Sequence, residues 1–174
     1  MSDSASDEVK LNSAEQYTVR LADYNSLRDG QAIIGLLDQY ARDPMGGAQP
    51  LSNKVRDNLM SELQHIAGAF TVLCFIERRA IGLVNCFQGF STFKCQPLIN
   101  IHDVVVHHDF RGQGLSLRML NHVQHEAKER GCCKLTLEVL AGNHIAQAAY
   151  KKFGFDAYEL QPSMGKALFW EKVL

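Results

Sequence analysis

The sequence predicts a single-domain α/β fold, a mixed central sheet of about six to seven strands flanked by about four helices, in the order β-α-α-β-β-β-α-β-α-β-β. Three observations predict it. An apolar run at residues 98–106 stops at Asp109 and yields, after Gly112 and Gly114, to a helical pattern that ends at Gly131, and a further apolar run occupies residues 133–140. A strand, a helix and a strand so joined pair their strands in parallel or near-parallel fashion. Residues 68–77 and 80–90 are β-branched and aromatic runs separated only by Arg78 and Arg79, which suits a hairpin. A chain of 174 residues with a hydrophobic share of 46% has enough material for one sizeable core, and two independent domains would be cramped.

Taken in order, residues 1–15 are Ser- and Asp-rich with too few apolar side chains to repay the entropy of ordering, so a loose tail is expected there and a folded domain over 16–174. Residues 17–21 alternate as a strand does, Asp23 is placed to cap, and Ile33, Leu36, Leu37 and Tyr40 recur at helical spacing. The segment 42–50 carries Pro44, Gly46, Gly47 and Pro50 and reads as a loop. Ser52 opens a second helix with Val55, Leu59, Leu63 and Ile66 on one face. After the glycine turn, Leu120, Val123 and Ala127 form a core face opposite Arg118, His122, His125 and Glu129. Asn143 can cap a short helix closed by Gly154, and residues 155–160 and 167–173 read as final strands.

Several classes of function are disfavoured by composition. A formal charge of -1 gives no hint of a nucleic-acid-binding surface, and a polyanionic partner would need a local patch. The five cysteines are odd in number, lack C-x-x-C spacing and lie mostly in apolar runs, which points to a reduced, cytoplasmic setting. The N-terminus has neither a basic n-region nor an apolar h-region, and no apolar run reaches membrane-spanning length, so export and membrane insertion are not expected. His107 and His108 are adjacent and so are expected to point apart on a strand, while His122 and His125 fall on an exposed helix face, and no metal site is expected.

The stretch from Arg111 to Leu117 is where chemistry concentrates. Its glycines sit between strand and helix, where backbone N–H groups lacking intrahelical partners converge and attract phosphate. A dinucleotide fingerprint fails because Leu117 stands where a third small residue belongs, and a P-loop fails for want of the G-K-[ST] ending. On the glycines alone, a plain turn remains open.

The downstream residues add a second motif. R-G-Q-G-L-S at 111–116, followed by Asn143, Ala146, Tyr150, Gly154 and Phe155, closely resembles the GCN5-related N-acetyltransferase (GNAT) superfamily, with Ser116 where the family usually has Gly or Ala. The resemblance implies a GNAT-like fold and transfer of an acetyl group from acetyl-CoA, as co-substrate and without a metal, to an amine. It implies that the amides of Gly112, Gln113, Gly114, Leu115 and Ser116 hold the pyrophosphate, with Arg111 at the start of the cradle. It further implies that Val104, Val105 and Val106 present backbone to the pantetheine arm, with Asn143 and Ala146 also beside the cofactor. Tyr150 is implied as the acid that serves the departing thiolate.

Two residues compete for the role of general base. Glu138, in L-T-L-E-V, resembles the glutamate of ribosomal-protein-type acetyltransferases; read without the family, it could equally pair with Lys134 or Arg118. His102 lies where other members carry a glutamate, and could otherwise be a hydrogen-bonded core histidine. The acceptor rim falls by resemblance at 42–51 and 161–168, where Met45, Gly46, Gly47, Pro162, Met164 and Gly165 form a partly apolar edge without an acidic cluster. A small primary amine is therefore the leading acceptor, ahead of a protein or peptide N-terminus and of a non-catalytic acyl-CoA-binding module. Family members often form homodimers, and the resemblance extends that expectation here.

Overall fold

The computed structural model describes residues 17–159, 161, 163 and 165–174. The expected tail at 1–15, and Leu160, Pro162 and Met164, lie outside the described residues. The chain runs β1 (Tyr17–Leu21), α1 (Leu27–Ala41), a 3-10 turn (Pro44–Gly46), α2 (Asn53–His65), β2 (Phe70–Ile76), β3 (Arg79–Ser91), β4 (Gln96–Val106), a second 3-10 turn (His108–Phe110), α3 (Leu115–Glu129), β5 (Leu135–Leu137) and α4 (His144–Phe153).

The strands form one mixed sheet in sequence order, antiparallel from β1 to β4 and parallel between β4 and β5. The α/β order, the hairpin between β2 and β3 and the strand–helix–strand crossover through α3 are as expected from the sequence. The number of strands is not: the described residues give five strands rather than six to seven. Residues 155–159 and 166–173 contribute one isolated antiparallel bridge, Glu159 to Lys166, in place of the two expected strands. Leu168, Phe169 and Trp170 are exposed, so their strand propensity has no sheet face to pack against, and propensity of that kind is mostly packing.

Each face of the sheet is covered. On one side α3 lays Leu115, Met119, Leu120, Val123 and Ala127 over Val72, Cys74, Ile81, Val84, Ile99 and Ile101. On the other, α1 sets Ile33 and Leu36 against Leu73, Phe75, Leu83 and Val105. Gly30 and Gly35 each cost α1 about 1 kcal/mol of helix propensity. Burial of Ile33 and Leu36, at about 1.5–3 kcal/mol each, outweighs that, so packing holds this helix.

The cap of α1 is Ser26, whose Oγ accepts from the Asp29 amide at 3.3 Å. Asp23, the expected cap, instead accepts from the Asn25 amide at 2.9 Å in a local turn. Of the apolar face read into α2, Leu63 is buried, while Ile66 lies beyond the helix and is exposed.

A bulge in β4 has consequences for the site. Asn85 pairs with Asp103 and Cys86 with Ile101, which leaves His102 as the extra residue. The inserted residue reverses the in–out alternation. Ile99 and Ile101 face α3, and beyond the bulge it is Val104 and Val106 that pack on that side, while Asp103 and Val105 turn toward α1.

The cysteines are all free. Burial pushes the Cys74 thiol up to about 11 and Cys86 higher still, whereas Cys95 is exposed in the turn between β3 and β4. A disulfide reagent is therefore expected to modify Cys95 promptly in the folded protein and Cys74 and Cys86 only upon unfolding, as read by mass spectrometry of labelled peptides. Prompt labelling of Cys86 would contradict the packing described. Among the described residues no helix is long and apolar enough to cross a membrane.

Candidate active site

β5 pairs with β4 only at Ile99, Asn100 and Ile101. Past that point the two strands part, and the edge of β4 from residue 104 onward faces a cleft of about 680 Å³. Tyr40, Asp43 and Met45 form one wall, residues 104–106 and the turn into α3 the floor, and residues 142–146 with Tyr150 the far wall.

The turn into α3 differs from the other helix starts. Ser26, Ser52 and Asn143 cap α1, α2 and α4 through their side chains, but the N-cap of α3 is Gly114 and has no side-chain hydrogen bond. The first amides of a 15-residue helix are thus left without a side-chain acceptor and open onto the cleft. Gly112 and Gly114 have φ of 78° and 75°, a left-handed conformation that turns the chain tightly without Cβ strain. Such a turn can hold a phosphate by direct amide bonds.

Most of the residues singled out in the sequence come together here. Val104, Val105, Val106, Arg111, Gly112, Gly114, Leu115, Ser116, Asn143, Ala146 and Tyr150 all line the cleft. Gln113 is turned away, its Oε1 accepting from the Tyr17 hydroxyl at 2.6 Å. Asn143 caps α4 by accepting from the Ala146 amide at 3.1 Å, which orients the helix that carries Tyr150. The Tyr150 ring packs edge-on against Phe155, 6.0 Å between centroids. Burial, with the Tyr40 phenol nearby, pushes the Tyr150 hydroxyl up to about 12.

The two candidate bases lie outside the cleft lining. Glu138 is exposed, with Asn100 Nδ2 at 3.5 Å from its Oε1, and its alternative partners are engaged elsewhere: Lys134 over the Tyr158 ring and Arg118 over the Tyr17 ring. His102, pushed outward at the bulge, is exposed and edge-on to Phe87 at 5.5 Å. His107 and His108 do not point apart. The strand ends there, and the turn brings their rings into a stack at 4.4 Å, with ligand atoms of His107, His108 and Asp109 within 4.8 Å of one another. Arg79 Nη2 donates to His107 Nε2 at 2.9 Å and stands 3.7 Å from Asp109 Oδ2, supplying positive charge to that group.

Three residues escaped the sequence reading. Asp103 ends a chain of donors that crosses three strands: the Tyr24 hydroxyl bonds to Thr71 at 2.9 Å, Thr71 donates to Asn85 at 2.7 Å, and Asn85 donates to Asp103 at 2.9 Å. Tyr40 lines the cleft and is raised above the ordinary phenol range first by burial and then by the charges of Asp103 and Asp43. Asp43 caps the first 3-10 turn through the Met45 amide at 3.0 Å and pairs with Arg111 at 3.0 Å. The signal for Asp43 was present as Asp-Pro at a helix exit; the signal for Asp103 needed the bulge, which no periodicity reveals.

Gly46 holds this wall in place. A Cβ there would stand 2.0 Å from the Tyr40 carbonyl oxygen, which is backbone and cannot yield cheaply. Gly46→Ala is expected to destabilise the protein by about 1–3 kcal/mol in urea unfolding and to displace the Asp43 and Met45 wall. An unchanged midpoint would show that the turn has more room than its geometry gives.

A model of the acetyltransferase (GNAT) family matches residues 31–155, most of the chain. The chain belongs to the GNAT acetyltransferase family. Among curated proteins, this GNAT chain is 30% identical over 89 residues to an uncharacterized N-acetyltransferase of Methanocaldococcus jannaschii, covering 51% of this chain and 39% of the relative. It is 35% identical over 74 residues to the thialysine N-epsilon-acetyltransferase of Bos taurus, covering 42% of this chain and 43% of that one. The matches thus span less than half the length of these relatives. An aminoglycoside acetyltransferase from an uncultured soil metagenomic sample, solved with sisomicin, superposes with a TM-score of 0.75 at 14% identity over 92% of this chain and 99% of its own. The ribosomal-protein-alanine N-acetyltransferase of Brucella melitensis does so at 0.62 and 19%, over 83% and 98%. At such identities these structures share the GNAT fold.

Proposed function

We propose that the chain, as one domain over 16–174, is an acetyl-CoA-dependent N-acetyltransferase whose acceptor is a small primary amine. The observation that carries this reading is the convergence on one cleft of the uncapped start of α3, the unpaired edge of β4 and Tyr150. The thialysine-acetylating relative favours an amino-acid-like amine as acceptor. Five free cysteines, two of them deeply buried, accord with a cytoplasmic setting.

Acetyl-CoA brings an activated thioester, and the chain supplies what surrounds it. The amides of residues 112–116 receive the pyrophosphate, with the α3 terminus adding about 0.3–1 kcal/mol per charge, less than the direct bonds. The open edge of β4 at residues 104–106 pairs with the pantetheine arm as an added strand, and its amides meet charge that develops on the acetyl oxygen. Tyr150 donates a hydrogen bond to the departing sulfur. Complete transfer from a phenol at about 12 to a thiolate near ~8.5 is uphill by roughly 5 kcal/mol, so the phenol keeps its proton and stabilises the sulfur through its hydrogen bond, and the thiolate takes up the proton that the amine gives up. Glu138 and His102 remain the candidate bases; both stand outside the cleft lining and would act through water.

The test is release of free thiol from acetyl-CoA with a panel of amines that includes thialysine and N-terminal peptides. Turnover of small amines is expected. Activity on peptides alone would assign a protein substrate, and tight binding without turnover would assign a regulatory module. Failure of acetyl-CoA to raise the thermal midpoint would remove the reading altogether.

A further inference from the structure

An ion pair in the cleft lining joins two parts with separate tasks. Arg111 stands at the entrance of the glycine turn, and Asp43 belongs to the loop between α1 and α2 that forms the adjoining wall. We infer that Asp43 is the carboxylate that receives the acceptor's cationic group, and that Arg111 masks it until the cofactor's pyrophosphate draws the guanidinium away. The inference rests on the reading of residues 111–116 as the pyrophosphate cradle.

The geometry gives Asp43 one oxygen for each task. Oδ1 accepts from the Met45 amide at 3.0 Å and keeps the carboxylate in place, while Oδ2 meets Arg111 Nη2 at 3.0 Å. Arg111 is held on its other side by the Val106 carbonyl, Nε to O 3.2 Å, at the end of the strand that edges the cleft. A pyrophosphate offers more charge and more acceptor oxygens to a guanidinium than a single carboxylate oxygen does, so it wins the exchange. Asp43, whose side chain is 23% exposed with Arg111 in place, is then left with Oδ2 unpaired. A carboxylate in that state gains by meeting a cation.

The surroundings set the class of acceptor. The nearest other acid, Asp38 in the last turn of α1, is consumed by Arg42 at 3.0 Å, by Arg56 and by the Leu51 amide at 2.9 Å. The described part of the loop therefore presents a single carboxylate, beside the apolar Met45 and the Tyr40 ring, and suits a compact monocation better than a polycation. Cofactor and acceptor are then positively coupled: whatever frees Asp43 favours the ammonium, and the ammonium favours the freed state by the same factor.

The experiment uses the full chain, coenzyme A as a non-reacting probe and thialysine as the acceptor probe, with Asp43→Asn as the variant because Asn retains the cap to the Met45 amide. Hydrogen exchange in residues 42–49 is expected to quicken in the wild type on adding coenzyme A and to slow again when thialysine follows. In Asp43→Asn the segment exchanges fast throughout, and coenzyme A binds about fivefold more tightly because Arg111 no longer has to leave a partner. Weaker or unchanged coenzyme A binding by the variant would overturn the inference, since the pair would then position Arg111 rather than compete for it. Failure of thialysine to slow exchange in the wild type overturns the acceptor role of Asp43. Absence of coenzyme A binding by the wild type removes the cradle and this inference with it.

Discussion

Tyr150→Phe is expected to lower kcat for acetyl transfer about a hundredfold while leaving the Kd for acetyl-CoA within about twofold. Phenylalanine keeps the ring that packs against Phe155 and the volume at the cleft wall, so the hydroxyl is the one thing removed. A group whose loss weakened binding and turnover equally would be a contact; one that lowers kcat alone acts on the departing sulfur. The pH profile sharpens the test. With its phenol pushed up to about 12, Tyr150 stays protonated through the working range, so the shape of the profile between about pH 6 and 9 should be the same in both proteins. A limb that vanished with the hydroxyl would mean the phenol titrates in that range, against its burial. Stability carries the same sign. A raised folded-state value means the contribution is complete below the unfolded phenol near ~10 and is lost as pH rises toward about 12, amounting to about 2–3 kcal/mol that the Phe variant does not lose.

Asp29→Asn should destabilise the protein by about 2–4 kcal/mol in urea unfolding at neutral pH. The carboxylate is 2% exposed and receives two bonds from Arg20, at 2.6 and 2.7 Å, together with the Asp23 amide at 2.9 Å. It thereby fastens β1 to the first turn of α1 across the start of the domain. The lower part of the range for breaking a buried pair applies because Arg20 is 41% exposed and regains water when its partner goes. The guanidinium bonds hold the Asp29 carboxyl below the ordinary carboxylate range. A depressed value means the stabilisation is present above the unfolded value near ~3.9 and disappears as pH falls through the folded one. The gap between wild type and variant should therefore be wide at pH 7 and close at strongly acidic pH. A gap that persisted in acid would place the effect in packing rather than charge.

What the sequence made legible was whatever depends on near neighbours. The β2–β3 hairpin, the glycine turn, the Asn143 cap and the stripe of Leu120, Val123 and Ala127 follow from spacing along the chain, and each stands where the pattern put it. The two strands expected after α4 failed because propensity does not say whether a sheet edge will be there to receive them. His107 and His108 continue the strand pattern in sequence, yet the strand ends at Val106 and their rings stack. Asp103 takes its direction from a bulge, and the Asp-Pro step that marks Asp43 gives no sign of its partner 68 residues away. Position in space, not residue type, was the missing quantity.

The parting of β4 and β5 also bears on how the molecule carries load. Half of the domain, from β1 to β4, is stitched by long antiparallel ladders, whereas among the described residues the portion after α3 joins the sheet through three paired positions and the neighbouring bond from the Cys133 amide to the Pro97 carbonyl. That junction is a seam, and the seam is where a strand-like ligand arm would lie. A keystone set there would lend rigidity to the weaker half that the polypeptide itself does not provide, so resistance to proteolysis around β5 and α4 should depend on occupancy of the cleft, while the antiparallel half stays indifferent to it.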